Sequence, residues 1–324
     1  MRYKTRTVLL LFLVGVVPSA QAQNPEKPLP RVGFILSYGA PSSSVLEAFS
    51  SGLRELGYVD GQNILIERRD AKGALNRMAP FVREFVDQKV DIIMGVNNVV
   101  IRAAKEATKT IPIVMISSID PVAAGYVESF TKPGANVTGL AWPLREISAK
   151  RIELLKELLP NLSKVGLVWD AKGPGPAVAR KEYERATHDF KLELHSFEIR
   201  ELNDDLDRVF RAIKTARVEA LIVVANALTS QIAKQIFELA TKEHLPSMTE
   251  DRVFVDFGGL MSYGVNLSDL YRRSAVYVDK ILKGAKPATL PVQTPNKFEL
   301  VINYKIAKQI GVAVPYSISA KADR

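Results

Sequence analysis

A chain of 324 residues, 47% of them hydrophobic, is long enough to bury two cores. It contains no cysteine, which excludes a disulfide framework, a thiol nucleophile, a thiolate metal site and a lipid attached through cysteine. The formal charge is +9; Arg2, Lys4 and Arg6 account for three, leaving 9 − 3 = +6 for the rest. That remainder is interleaved with acids, as in Glu182-Tyr183-Glu184-Arg185, and shows no basic stripe with aromatics, so nucleic acid is not an expected partner.

The first residues read as an export signal. The basic start is followed by an apolar run from Val8 to Val17, the length of a signal-peptide core and too short to span a bilayer. Pro18 ends the run, and Ala20-Gln21-Ala22 supplies the small residues a signal peptidase needs, so cleavage is expected after Ala22. The expected location is the periplasm, free of any lipid tether. Asn24 to Pro30 is polar and proline-rich and reads as a lead-in.

Val32 to Leu36 is a short apolar run, as expected of a strand buried on both faces. Ser44 and Glu47 form a capping-box pattern opening a helix that Gly57 is placed to stop. Alternation then continues. Strands are expected at Ile64–Glu67, Asp91–Val96, Ile111–Ile116 and, as an edge, Val137–Leu140. Helices are expected at Asn76–Gln88, Val99–Lys109 and Val122–Phe130. This order predicts a parallel sheet between layers of helices.

The rhythm restarts near Ala141-Trp142-Pro143. Helices are expected over Ile147–Leu159, Ala177–Phe190, Asp204–Thr215 (capped by Asn203 or Asp204) and Ser230–His244, and strands at Val165–Trp169, Leu192–Ile199 and Leu221–Ala225. Beyond Leu260–Tyr263, a helix over Leu267–Leu282, an extended stretch at Pro287–Pro295, a strand at Phe298–Ile302 and a helix at Tyr304–Ile310 are too little for a third domain. They are expected to complete the two sheets. The fold class is therefore α/β, with two doubly wound Rossmann-like lobes and a three-segment hinge. Lobe 1 is read as 31–142 plus 265–288 and lobe 2 as 143–264 plus 289–324.

At this point the sequence resembles a known family. Leu53-Arg54-Glu55-Leu56-Gly57-Tyr58-Val59-Asp60-Gly61-Gln62-Asn63-Ile64, Asp120-Pro121-Val122 and Pro133-Gly134-Ala135-Asn136-Val137-Thr138-Gly139 carry the match, with Gly258 to Gly264 and Lys297 to Asn303. These segments are similar to ABC-transporter substrate-binding proteins of the type I periplasmic fold, the branch with tryptophan-binding members. The similarity spans essentially the whole mature chain. It implies a small-molecule ligand between the lobes, a closed form that docks on an ABC permease of the inner membrane, and a monomer.

In paired open sheets, ligands sit outside the carboxyl ends of the strands. That rule nominates Ser37, Tyr38 and Ser43 after the first strand, Asn97 and Asn98 after the third, and Ser117, Ser118 and Asp120 after the fourth. In the second half it nominates Trp169, Asp170, Asn226 and Glu250. Trp169 could stack on a planar ligand and Asp170 could pair with an ammonium. Family members often carry Asn at that position, which leaves the ligand's charge open. Trp142, at the proposed hinge, reads equally as core or platform.

No catalytic, cofactor or metal assignment is made. Gly173-Pro174-Gly175-Pro176 lacks the third glycine of a dinucleotide fingerprint, and there is no G-K-[ST] phosphate loop. His188, His195 and His244 lie away from strand ends, so a Ser/His/Asp triad is not expected. Asn203 to Asp207 lacks the glycine and distal glutamate of a calcium loop. The function expected is solute capture for an importer. The alternatives are presentation of the ligand to a receptor, or an exported α/β enzyme.

Overall fold

The computed structural model describes residues 28–36, 41–72, 74–142, 144–172 and 174–323. The export signal and the calls on Ser37 and Tyr38 lie outside those residues. Ser43 is in a helix, but its side chain is likewise outside the description.

The first half of the chain runs β1 (Arg31–Leu36), α1 (Pro41–Glu55), β2 (Leu65–Asp70), α2 (Met78–Asp87), β3 (Ile92–Gly95), α3 (Asn98–Ala107), β4 (Ile113–Ser117) and β5 (Val137–Ala141). These strands form a five-stranded parallel sheet in the order β2-β1-β3-β4-β5. β3, β4 and β5 are buried along their whole length, because helices cover both faces of the sheet.

The second half runs α4 (Leu144–Leu158), β6 (Lys164–Asp170), α5 (Pro174–Asp189), β7 (Glu193–Ile199), α6 (Leu206–Thr215), β8 (Ala220–Val223), α7 (Ala227–Lys242), β9 (Ser247–Thr249), α8 (Val253–Asp256) and β10 (Met261–Val265). Then follow α9 (Leu267–Leu282), β11 (Phe298–Ile302), α10 (Tyr304–Ile310) and α11 (Tyr316–Ser319). The second sheet is six-stranded, in the order β11-β10-β9-β8-β6-β7. It is parallel except for β11, which runs antiparallel to β10.

The returning segments divide between the two sheets. α9 packs Leu270, Tyr271, Ala275 and Val278 into the core formed by Val32, Phe34, Phe49 and Leu53 of the first sheet and α1. β11 and α10 add Leu300, Ile302, Ala307 and Ile310 to a core on the second sheet. The chain therefore passes between the sheets after β5, after β10 and before β11. The result is a two-lobed α/β fold with three connecting segments.

Several expectations need correction. α1 begins at Pro41, not Ser44; proline suits the first helical position because its missing N–H would have no partner there. Residues 122–130 form turns, not a helix: Gly125 takes φ +68° and the Tyr126 amide closes a turn on Pro121 O at 2.7 Å. Asp205, not Asn203 or Asp204, caps α6. The third passage starts later than position 289. Gln293 bridges Leu140 at the edge of the first sheet, and Thr138 Oγ1 donates to Leu290 O at 2.6 Å. Leu290 to Gln293 thus belongs with the first sheet.

Candidate functional site

The carboxyl ends of strands from both sheets open on one cleft of about 500 Å³. That is the size of a site for one small molecule. The first lobe contributes Leu75, Val96 to Val99, Ile116, Ser118 and Trp142, with Val265, Leu267 and Tyr271 at the second passage. The second contributes Arg151, Asp170, Lys172, Arg200, Asn226, Ser230, Gln231, Glu250 and Asp251 among others. A neighbouring cavity of about 440 Å³ shares Val96, Asp251, Val265 and Tyr271.

On the first lobe, Asn97 caps α3 by accepting from the amides of Val99 (2.9 Å) and Val100 (3.0 Å). Its neighbour Asn98 is held by the Ser117 hydroxyl, 3.0 Å from Asn98 Oδ1. Ser117 is fully buried and does not line the cleft; Ser118 does. Asp120 does not either. Its Oδ1 accepts from the amides of Val122 (2.8 Å) and Ala123 (3.2 Å) and organises an exposed turn.

On the second lobe, Asp170 ends β6 and Asn226 caps α7. Asn226 Oδ1 accepts from the Thr229 amide at 2.8 Å, which leaves its Nδ2 to donate to Asp170 Oδ2 at 2.6 Å. Asp170 Oδ1 accepts from the Lys172 amide at 2.8 Å. Trp169 faces the other way. Its indole Nε1 donates to Ser196 Oγ at 2.8 Å and its ring packs in the core under Arg180. It is no stacking platform, because strand alternation sends Trp169 and Asp170 to opposite sides.

Glu250 follows β9 and meets Arg151 of α4, with Nη1 to Oε1 at 3.3 Å. Arg151 also donates from Nε to Tyr263 O at 2.6 Å and from Nη1 to the Tyr183 hydroxyl at 2.9 Å. Burial raises the Glu250 carboxyl above its ordinary range, an effect that Arg151 partly offsets. Burial raises Asp251 as well; its Oδ1 accepts from the Val253 amide at 3.0 Å. Tyr183, buried beside the pair, is also raised by desolvation.

Of the nominated residues, the structure brings together Asn97, Asn98, Ser118, Asp170, Asn226 and Glu250 at the cleft. Sequence reasoning missed Arg151, although a signal existed. Arg151 falls on the α4 stripe of Ile147, Leu154 and Leu158, where a charge needs a buried partner. Lys172 and Arg200, just past the ends of β6 and β7, were accessible to the strand-end rule and were also missed. Trp142 lies half-buried on the cleft wall. Among the described residues no cluster of His, Asp or Glu could hold a metal ion, and no helix is long and apolar enough to cross a membrane.

Residues 39–324 match the model of the family described as ABC transporter substrate binding protein. A tyrosine-binding protein of Clostridioides difficile is 28% identical over 267 residues, covering 82% of this chain and 75% of that protein. Among solved structures, a conserved domain protein from Vibrio cholerae is 25% identical with a TM-score of 0.83, covering 91% of this chain and 98% of that one. An ABC domain from Streptococcus pneumonia in complex with L-Trp is also 25% identical, with a TM-score of 0.81 and coverage of 91% and 99%. The matches span both lobes and all three passages, so this chain belongs to the ABC transporter substrate binding protein family, a family of binding proteins and not of enzymes.

Proposed function

We propose that this protein is the exported solute-binding component of an ABC-type importer, which captures an amino-acid-like, aromatic or carboxylate-bearing solute in the cleft between its lobes. The observation that carries the reading is the cleft itself. Strand ends of two separate sheets line one cavity of about 500 Å³, and the sheets are joined by three passages. A ligand touching both walls favours the closed arrangement, because only that arrangement supplies both sets of contacts.

Relatives support the solute class: one is named for binding tyrosine and another is solved with L-Trp. The basic, apolar and small-residue pattern of the first 22 residues supports export. Family membership supports delivery to an inner-membrane permease, and the protein acts as a monomer in this reading.

The test is thermal denaturation of the purified protein with aromatic amino acids, other amino acids, aromatic acids and nucleosides. A ligand at a hundredfold excess over its Kd stabilises by about 2.7 kcal/mol. A clear rise in Tm with one class is expected. No rise with any class would remove the reading.

A further inference from the structure

The two walls of the cleft differ in charge. Among the described residues, the first-lobe wall contributes no charged side chain; it offers apolar and aromatic surface from Leu75, Val96, Ile116, Trp142 and Tyr271. Among the described residues, every Asp, Glu, Lys and Arg lining the cleft is on the second lobe: Arg151, Asp170, Lys172, Arg200, Glu250 and Asp251. The bases there already have partners. Arg151 pairs with Glu250, Lys172 with Glu201 at 2.8 Å, and Arg200 with Glu198 at 2.7 Å.

Asp170 has no such partner. It is only 9% exposed, and both of its hydrogen-bond donors, the Lys172 amide and Asn226 Nδ2, are neutral. Arg180, which lies over the Trp169 ring, is paired with Glu184. Among the described residues, no ion pair reaches the Asp170 carboxylate. A carboxylate taken that far from water is expensive without a cation nearby. Here it lines a cavity whose other walls can exclude solvent once a guest is present. The guest is then the natural source of the missing charge.

We propose that Asp170 is the specificity-determining residue for a cationic nitrogen on the ligand. The second lobe takes the charged head and the first lobe covers the apolar body. The inference rests on the solute-capture reading and narrows it: of the solutes that reading admits, those carrying an ammonium or similar cation are accepted, and anionic aromatic acids without one are rejected. A carboxylate on the ligand is not required.

In the empty protein Asp170 also serves two neighbours. Asn226 must present its amide donor, because its oxygen is committed to Thr229. Lys172 presents another donor. Aspartate accepts one of these on each oxygen, whereas an asparagine would have a single oxygen with which to accept both.

The experiment is calorimetric titration of the purified protein with three indole probes. L-Tryptophan carries both charges, tryptamine the cation alone, and indole-3-propionate the anion alone. A parallel set uses tyrosine, tyramine and 4-hydroxyphenylpropionate. The two amine-bearing probes of a set are expected to bind and the acid to fail. Asp170→Asn should weaken the amines roughly ten- to hundredfold, the span of one charged hydrogen bond.

The comparison of probes on the unaltered protein needs no variant, so a folding defect in Asp170→Asn does not blunt it. An acid binding as well as its amine counterpart overturns the proposal, while the solute-capture reading stands. Equal weakening of any acid and amine by Asp170→Asn marks a merely structural role and also overturns it. Failure of both sets sinks the proposal and the aromatic-solute reading together.

Discussion

Arg151 Nη1 lies 3.3 Å from Glu250 Oε1, with the guanidinium side chain 3% exposed and the carboxylate side chain 17% exposed. The pair joins the helix that follows the first passage between lobes to the strand end that faces the cleft. Removing one partner of such a pair leaves a buried charge uncompensated and costs about 3–5 kcal/mol. Arg151→Met should therefore lower Tm by roughly 10 °C in the absence of ligand. The double variant with Glu250→Gln should be much less destabilised than the sum of the two single variants. A cycle of thermal melts checks this, and additive costs would show that the two residues do not interact.

Asn226 serves two neighbours at once. Asn226→Ala loses the α7 cap, at about 1 kcal/mol, and a hydrogen bond to the Asp170 carboxylate, at about 1.5–3 kcal/mol. A total of about 2.5–4 kcal/mol is expected in urea denaturation. Asn226→Ser should restore the cap alone and recover only the smaller share. Full recovery by serine would remove any role for the Asp170 bond.

Gly264 lets β10 approach the loop after β9. A Cβ built on it would stand 2.0 Å from Glu250 O, a backbone atom that cannot swing aside. Gly264→Ala should therefore push the two strand ends apart, at about 1–3 kcal/mol or more. Because β10 leads into the second passage, ligand affinity should fall together with Tm. Melts and titrations on the same preparation check both, and an unchanged Tm would contradict the close approach.

Asp251 gives a pH dependence. Burial raises its carboxyl above the ordinary 3.8, so the folded protein keeps the proton to higher pH than the unfolded chain does. Its contribution is complete below the unfolded value and is lost as pH rises through the raised folded value. Asp251→Asn keeps the acceptor for the Val253 amide and cannot ionise. As pH rises above about 4, stability of the unaltered protein should therefore fall relative to that of the variant. Urea midpoints measured across that range decide it; parallel curves would mean Asp251 ionises normally.

Much of the architecture is legible in the chain because it is written in local patterns. Short apolar runs such as Val32 to Ile35 and Ile92 to Gly95 mark strands covered on both faces, and the periodic stripes between them mark the covering helices. Strand-end positions such as Asn97, Asp170, Asn226 and Glu250 follow from that order without knowledge of any partner. Their nomination needed only the rule that open sheets bind at carboxyl ends.

What remained out of reach depends on pairs distant in the chain. Arg151 and Glu250 are 99 positions apart, and Arg151 and Tyr263 are 112 apart, so nothing in the α4 stripe names the groups that neutralise its buried arginine. Trp169 sits on a strand buried on both sides, where alternation separates it from Asp170 but does not say which of the two meets the cleft. Leu290 to Gln293 carries no periodic signal and is assigned to the first sheet by tertiary contacts, among them those of Leu140, Thr138 and Gly139. Short-range order follows from each residue's own propensity and period. Which faces and charges finally meet is set by packing the two sheets and their returning segments in space, since burial and Coulomb energies depend on neighbours that chain position alone does not supply.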